Sequence, residues 1–480
     1  MKTKKSKLII LFLLIALLFF VLYKNERNKI YKKIENNIQA LSDDYRVYCD
    51  EEILVDIERL NDNCFKTNKE LKVINNDIEI LNRYEGHIKH TNNISTIYIM
   101  TEDNVGVSLT KDNDYVNAKI VFVSPDDIIV NDDLAKIKVR GNSTSSGEKK
   151  PYNIKFSEKY DLFGLGESAK KYCLLADCYD PTLMRNYIFF YLAKKMNMEY
   201  TSEVSYIDVY LDGEYRGLYI LTEPVEIDEN RVNINEENGD FLFELEQVRI
   251  EEDATYVYTP SGIRFVMCDP ENPTNEQLNY IVSKIKNLDD ALLSNNDELI
   301  EKTIDIDSFA KLYVLNEYAK SVDFDNSSVK FYYKDGKFHA GPVWDFDLSS
   351  GNASKTYYTN YYSKDGICYE NMGCLWHVYI YLYENSLFKN KVKQYFNKYY
   401  DMYENVFITN GLIDNLLEEY GENYNSNYSN ELGGAGWVVN KQYSNLEAKR
   451  ENNYIENVNY LKKWLMNRLS YLKQNNWWDK

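Results

Sequence analysis

The stretch Gly341-Pro-Val-Trp-Asp-Phe-Asp-Leu-Ser-Ser-Gly351, followed by Asn352, decides how the rest of the chain is read. Ahead of it runs the apolar Val329-Lys-Phe-Tyr-Tyr333, then Lys334-Asp-Gly-Lys337, which has the composition of a tight turn. Phe338, Ala340 and Val343 mark a returning strand, so a β-hairpin is predicted that carries Asp345 and Asp347 at its end. On extended backbone, residues two apart share a face; the two carboxylates would point one way and Trp344 and Phe346 the other. A carboxylate pair beside a Ser-Ser-Gly turn suits a hard divalent cation with phosphate oxygens as its other ligands, and the competing reading is a solvated turn. Upstream, Ser321-Val-Asp-Phe-Asp-Asn326 is a second acidic cluster, and it weighs the balance towards a site.

Composition narrows the function classes. Among 480 residues, 56 Lys and Arg face 75 Asp and Glu, a net charge of −19. A nucleic-acid binder needs a basic face, so that class is set aside. Forty-four tyrosines and eight prolines describe an aromatic-rich globular chain rather than a disordered one. The histidines, His87, His90, His339 and His377, are scattered, which argues against a His-based zinc centre or a Ser-His hydrolase. The cysteines show no CxxC pair. Cys173/Cys178, Cys368/Cys374 and Cys49/Cys64 are spaced to bridge, but buried free thiols are preferred.

Met1 to Lys7 is basic, and Leu8 to Tyr23 is unbroken apolar. A cleaved signal peptide is the rival of an uncleaved anchor here; no small-x-small site follows, so a membrane anchor over residues 1–27 is expected. The protein would then be single-pass, with its C-terminal part extracytoplasmic. From 28 to 90 the apolar residues Ile30, Ile34, Ile38, Leu41, Ile53, Ile57, Leu60, Leu71, Ile74, Ile78 and Leu81 recur at helical spacing, which predicts a helical stalk and a possible dimer seam.

Near Ile94 the period changes to two. Thr96–Met100, Ala118–Val123 and Ala135–Val139 are predicted strands of an antiparallel sheet. The last leads into Arg140-Gly-Asn-Ser-Thr-Ser-Ser-Gly147, and Pro151 to Phe156 returns as another strand. Such a loop offers backbone N–H groups, hydroxyls and cations to a polyphosphate, although an ordinary flexible hairpin has the same composition. Asp180-Pro181 is read as opening a helix to about Met196, with Asp180 as N-cap and Arg185 and Asn186 in the first turns. Val204–Leu211 and Tyr215–Thr222 flank an Asp-Gly turn, and Glu223-Pro-Val-Glu226 follows. Phe241–Glu246 and Ile263–Met267 read as further strands. Thereafter Asn275–Leu293, Ile306–Tyr318, Phe388–Tyr403 and Asn453–Lys473 carry helical periodicity.

Taken in order, Arg140-Gly-Asn-Ser-Thr, Lys150-Pro-Tyr-Asn-Ile-Lys-Phe156, Asp180 to Asn186, Val209 to Tyr219, Glu223 and Pro342-Val-Trp-Asp-Phe-Asp347 resemble the CotH family of spore-coat-protein-H-like atypical protein kinases. The resemblance spans roughly residues 94 to 475. It implies an α+β, divergent protein-kinase-like two-lobed fold: a β-rich N-lobe over 91–226 and a mainly helical C-lobe over 227–480, after the anchor and stalk. It implies ATP, Mg²⁺ or Mn²⁺, and phosphoryl transfer to Ser or Thr of a protein substrate, such as a surface or coat protein. By position, Asp323 resembles the catalytic Asp and Asp345 the metal-binding Asp; Asn326 is a candidate second metal ligand, and Asp325 and Asp347 compete for the two roles. Arg140, Gly141, Asn142, Ser143 and Thr144 would touch phosphates. Lys155 would be the phosphate-binding lysine, with Lys150 its rival, and Glu223 would lie at the nucleotide hinge. Arg185 is carried as a further contact. A non-catalytic binding module, and a kinase for a cell-surface polymer or small molecule, are the alternatives.

Overall fold

A computed structural model describes residues 93–125, 129–325, 327–355, 360–371, 377–429, 435–439 and 454–479, together with the backbone of six strands between residues 45 and 88. The expected anchor over 1–27 lies outside these residues, and among the described residues no helix is long and apolar enough to cross a membrane.

The helical stalk is overturned over much of its length. Tyr45–Cys49 (β1), Glu52–Ile57 (β2), Leu71–Asn75 (β4) and Ile78–Arg83 (β5) form a four-stranded sheet, and Phe65–Thr67 (β3) pairs with Gly86–Ile88 (β6). The spacing that suggested a helix runs across two strands: β4 and β5 pair antiparallel from Leu71 opposite Arg83 to Asn75 opposite Ile78.

Seven strands then close into a barrel: Ser95–Thr101 (β7), Val116–Val123 (β8), Ile129–Val139 (β9), Tyr152–Tyr160 (β10), Ala169–Leu175 (β11), Val204–Leu211 (β12) and Glu214–Thr222 (β13), in the order β10-β11-β13-β12-β7-β8-β9. The expected strands are present, and β7, β8 and β9 pair antiparallel in succession as expected; the closure of the sheet into a barrel goes beyond that expectation. β12 runs parallel to β7, from Ile207 opposite Ser95 to Leu211 opposite Ile99, and that pairing joins the two ends of the sequence order. Strand alternation separates two cores. Ile97, Ile99, Ile154, Phe156, Leu174, Ile207, Val209, Tyr219 and Leu221 fill the barrel. Leu175, Tyr206, Leu218 and Ile220, on the outward faces of the same strands, join the core of the second half. The β12–β13 turn has Asp212 at φ 51° and Gly213 at φ 80°, the left-handed pair that a two-residue hairpin requires.

The second half is built on a five-stranded sheet, Tyr256–Tyr258 (β15), Arg264–Asp269 (β16), Phe241–Leu245 (β14), Val329–Lys334 (β17) and Lys337–Ala340 (β18), in that order. Its aromatic face packs Phe243 against Phe265, Phe331 and Phe338, and Phe309 of the helix Ile306–Ala319 lies 5.6 Å from Phe331. The helices Asn275–Ser294, Ile306–Ala319, Ser386–Glu404 and Tyr454–Asn475 match the periodicity. The first begins with a capping box between Thr274 and Gln277. Leu412–Tyr428 is a helix that periodicity did not reveal, because its buried face mixes Ile413 and Leu416 with Asn423, Tyr424 and Asn427. Cys173, Cys178, Cys268 and Cys368 are free thiols, so the Cys173/Cys178 bridge does not form.

Candidate active site

The predicted hairpin is present as β17 and β18, turned by Asp335 and Gly336 with positive φ. The strand stops at Ala340 rather than running on to Val343. Gly341 has φ 124° and Asp345 φ 63°, so the acidic segment is a looped approach and not extended chain. The simple alternation of faces therefore fails at one position. Asp345 and Asp347 line a common cleft, but Trp344 lines it too, while Phe346 is buried and stacks on Phe189 at 4.9 Å.

Asp323 enters the same cleft from the other acidic cluster. The helix Ile306–Ala319 ends at Lys320, whose φ of 50° closes the last turn. The chain then forms the short turn Asp323–Asp325, and Val322 N–H donates to Leu348 O at 3.2 Å, tying the two acidic segments together. Ser327 N–H donates to Asp323 O at 2.9 Å, and the Ser327 hydroxyl lies 3.4 Å from Asp323 Oδ1. From below, buried His377 donates from Nε2 to Phe324 O at 2.8 Å and accepts from Tyr379 N–H at Nδ1. Burial holds its pKa down to about 4, so the ring is a neutral prop for the turn.

The opposite wall comes from the barrel. Arg140 follows β9, and its guanidinium lies 5.1 Å from the Trp344 ring centroid. Gly141 has φ 83°, a left-handed backbone that glycine adopts without strain, and a Cβ there would crowd the Thr144 hydroxyl. Ser143–Ser146 forms a short 3₁₀ turn, and Asn142 Oδ1 accepts from Lys111 Nζ at 2.7 Å. Together the walls enclose a cleft of about 650 Å³.

A further acid completes the floor. Asp177 follows β11, is buried, and accepts from Asn186 Nδ2 at 2.6 Å; Asn186 Oδ1 accepts in turn from Phe346 N–H at 2.7 Å. Asp177 Oδ2 is buried without a hydrogen-bond partner. Enclosure raises the carboxyl pKa of Asp177, Asp323, Asp345 and Asp347, and neighbouring acids raise them further: Asp180 and Asp345 at Asp177, Asp345 at Asp323, Glu244 at Asp345, and Asp345, Asp177 and Asp323 at Asp347. Arg140 and Arg249 act against this at Asp345. Hard oxygen donors, crowded negative charge and an orphaned carboxylate oxygen fit a divalent cation. Among the described residues no three acidic, His or Cys side chains stand ready as a closed cage. Mg²⁺ is usually held by one or two carboxylates with phosphates and water filling its octahedron, and Asp345 and Asp347 are residues of that chemistry.

Residues 137–472 match the family model described as CotH kinase protein. The chain belongs to the CotH kinase family. Membership places it among kinase-type phosphotransferases. No curated protein matches the chain.

Against the CotH resemblance, the structure sorts the candidate residues. Asp323, Asp345, Asp347, Arg140, Gly141, Asn142, Ser143 and Thr144 meet in one cleft. Lys155 does not join them. It stands between the inward-facing Ile154 and Phe156, so strand alternation turns it to solvent. Lys150 Nζ instead donates to Leu109 O at 2.6 Å. Arg185 is fully buried beneath the site, paired with Asp180 at 2.5 Å and donating to Ser349 O and Ser350 O, so it holds the loop after Asp347 rather than a phosphate. Asp180 is not the N-cap residue, a position held by Met184; its carboxylate reaches forward to the N–H groups of Met184 and Arg185. Glu223 lines a separate pocket. Asn326 and the side chain of Asp325 lie outside the described residues. Sequence reading missed Asp177, Arg249 and the Lys330–Glu244 ion pair, all on the cleft wall. Glu244 faces Lys330 across β14 and β17, a cross-strand relation that only the register reveals. Lys149, behind Asp177, was also passed over. It is buried, donates to Leu218 O at 2.5 Å and lies 4.6 Å from the Tyr219 ring centroid, and burial lowers its pKa.

Proposed function

We propose that this CotH-family protein transfers the ATP γ-phosphate to a Ser or Thr hydroxyl of a protein substrate, using Mg²⁺ or Mn²⁺. The observation that carries the reading is the meeting of Asp323, Asp345 and the Arg140 loop across one cleft. A bound divalent cation supplies neutralisation of phosphate charge, the main requirement of phosphoryl transfer. Asp345 and Asp347, backed by Asp177, would hold it. Arg140 and the backbone N–H groups and hydroxyls of Gly141 to Thr144 offer donors to phosphate oxygens. Asp323 accepts or orients the acceptor hydroxyl proton; its carboxyl is raised well above the ordinary range, which brings a base closer to the pH at which it works. Asn186 fixes the distance between Asp177 and the Asp345–Asp347 segment by holding both. In this reading residues 91–226 and 227–480 act as the two lobes, the N-terminal segment anchors the protein as a single-pass chain with the catalytic part outside the cell membrane, and the acceptor is a surface or coat protein.

The test uses the full-length chain with labelled ATP and Mg²⁺ or Mn²⁺, beside Asp323→Ala and Asp345→Ala. Label on the protein itself or on a generic protein, absent in both variants, supports the kinase. Folded protein with neither transfer nor an ATP-dependent thermal shift leaves a non-catalytic binding module. Transfer only to an added polymer or small molecule would replace the protein acceptor.

A further inference from the structure

Glu223, expected at a nucleotide hinge, instead borders a second cavity of about 340 Å³ whose lining shares no residue with the acidic cleft. The cavity lies where β13 ends, and volumes above roughly 300 Å³ are typical of small-molecule sites. Two of its charged side chains are more than nine-tenths buried, Glu223 at 6% and Arg231 at 7% exposure. Arg231 is held firmly: one Nη pairs with Glu226 and the other donates to Lys171 O. Its Nε is buried, makes no hydrogen bond, and stands 3.8 Å from Glu223 Oε1, too far for a direct bond. Glu223 Oε2 accepts from Glu203 N–H at 3.0 Å. Arg231 and Glu223 thus form an ion pair without a direct hydrogen bond, which leaves the Arg231 Nε–H with no acceptor at the cavity wall.

The charges around the cavity identify the ligand class. Glu203 is paired with Lys194, Glu229 with Lys159 at 3.0 Å, and Glu226 with Arg231. The rim is therefore largely neutralised and offers no strong attraction to a polyamine. An anion would meet Glu167 and Glu223 and find one guanidinium N–H rather than the two-pronged face that carboxylates and phosphates use. A hydroxyl satisfies the site, since it accepts from Arg231 Nε and donates to Glu223. Asn230, Asn233, Thr201 and Ser202 add neutral polar groups to the lining, Thr201 and Asn230 as acceptors because their donors are engaged by Met198 O and Ser168 O, and Tyr200 and Pro224 give apolar surface for C–H groups. Burial raises Glu223 to about 7, with the neighbouring Arg231 acting against the rise.

We propose that this second cavity binds a neutral polyol, specifically a sugar residue, through Arg231 and Glu223. The proposal is independent of the phosphotransfer reading. It is tested by saturation-transfer NMR on the purified full-length chain with glucose, N-acetylglucosamine, putrescine and inorganic phosphate as separate probes. The expected result is transfer to at least one of the two sugars, weakened tenfold or more in Glu223→Gln and in Arg231→Lys, with the response to ATP and Mg²⁺ unchanged. Circular dichroism and thermal melting establish that each variant is folded. Should Arg231→Lys fail to fold, Asn230→Ala and Glu223→Gln carry the test. Binding of putrescine or phosphate but neither sugar would overturn the proposal, as would no binding by any probe, or sugar binding indifferent to the substitutions.

Discussion

Arg468 and Glu317 are as deeply buried as Asp177 and Asp347, but the two sets of charges are treated in opposite ways. Arg468 pairs with the Glu317 carboxylate and donates to the carbonyls of Glu317, Lys364 and Gly366. Glu317 also accepts from Cys368 N–H. Every strong donor there has a partner. In the cleft, acid faces acid, and Asp177 Oδ2 has none. The first arrangement fixes how the helix Tyr454–Asn475 packs on Ile306–Ala319. The second leaves acidic charge only partly offset, by Arg140 and Arg249 at Asp345 and by Lys149 at Asp177, which is intelligible when a cationic ligand supplies the balance.

The sharpest way to break this contrast is to remove one half of the satisfied pair. Arg468→Met leaves the Glu317 carboxylate buried without its counter-charge and is expected to cost about 3–5 kcal/mol in urea unfolding. Arg468→Met with Glu317→Leu should recover most of the loss. A single variant of unchanged stability would remove the distinction. Within the cleft the same operation acts the other way. Asp323→Asn or Asp345→Asn should lower phosphoryl transfer by about 10²–10³-fold or more while leaving the melting temperature unchanged or raising it, because repulsion is relieved. A cleft variant that unfolds the protein would mean that its acids are structural.

pH gives a third handle, through the prop beneath the Asp323 turn. His377 has its pKa held to about 4, against an ordinary 6.5. Between those values the unfolded chain binds more protons than the folded one. This contribution to stability is therefore complete above about pH 6.5 and is lost as pH falls towards 4, roughly 3 kcal/mol in all. The difference between wild type and His377→Asn in urea unfolding at neutral and acid pH isolates it, and parallel curves would refute it. Smallest in expectation is Arg140→Ala, which should weaken ATP binding about tenfold through the loss of one charge-assisted contact. A thermal-shift titration reads this, and an unchanged affinity would move the phosphate site away from the Gly141 loop.

Much of the fold was legible where structure is local. The β17–β18 and β12–β13 hairpins carry their own Asp-Gly turns, and the helix from Asn275 carries its own cap. Barrel closure was not, because it depends on β12 meeting β7 from more than a hundred residues away, and no turn encodes that. Of the site, Asp323, Asp345, Asp347 and the Arg140 loop were readable as motifs. Lys155 does not reach the cleft because strand parity, visible in its apolar neighbours Ile154 and Phe156, turns it outward. Asp177 was hidden because its meaning lies in Asn186 and Phe346, partners set by packing.

The outward faces of β11 and β13 belong to one core and their inward faces to the other. Mechanically, these strands are a party wall between the two halves of the molecule. Bending at such a wall would shear both sets of packed side chains at once, so these strands are a poor place for a hinge. At the rim of the cleft, the exposed Lys111–Glu251 pair spans from the barrel to the segment ahead of β15 at 3.4 Å. A contact of that kind is weak enough to break each time a ligand passes.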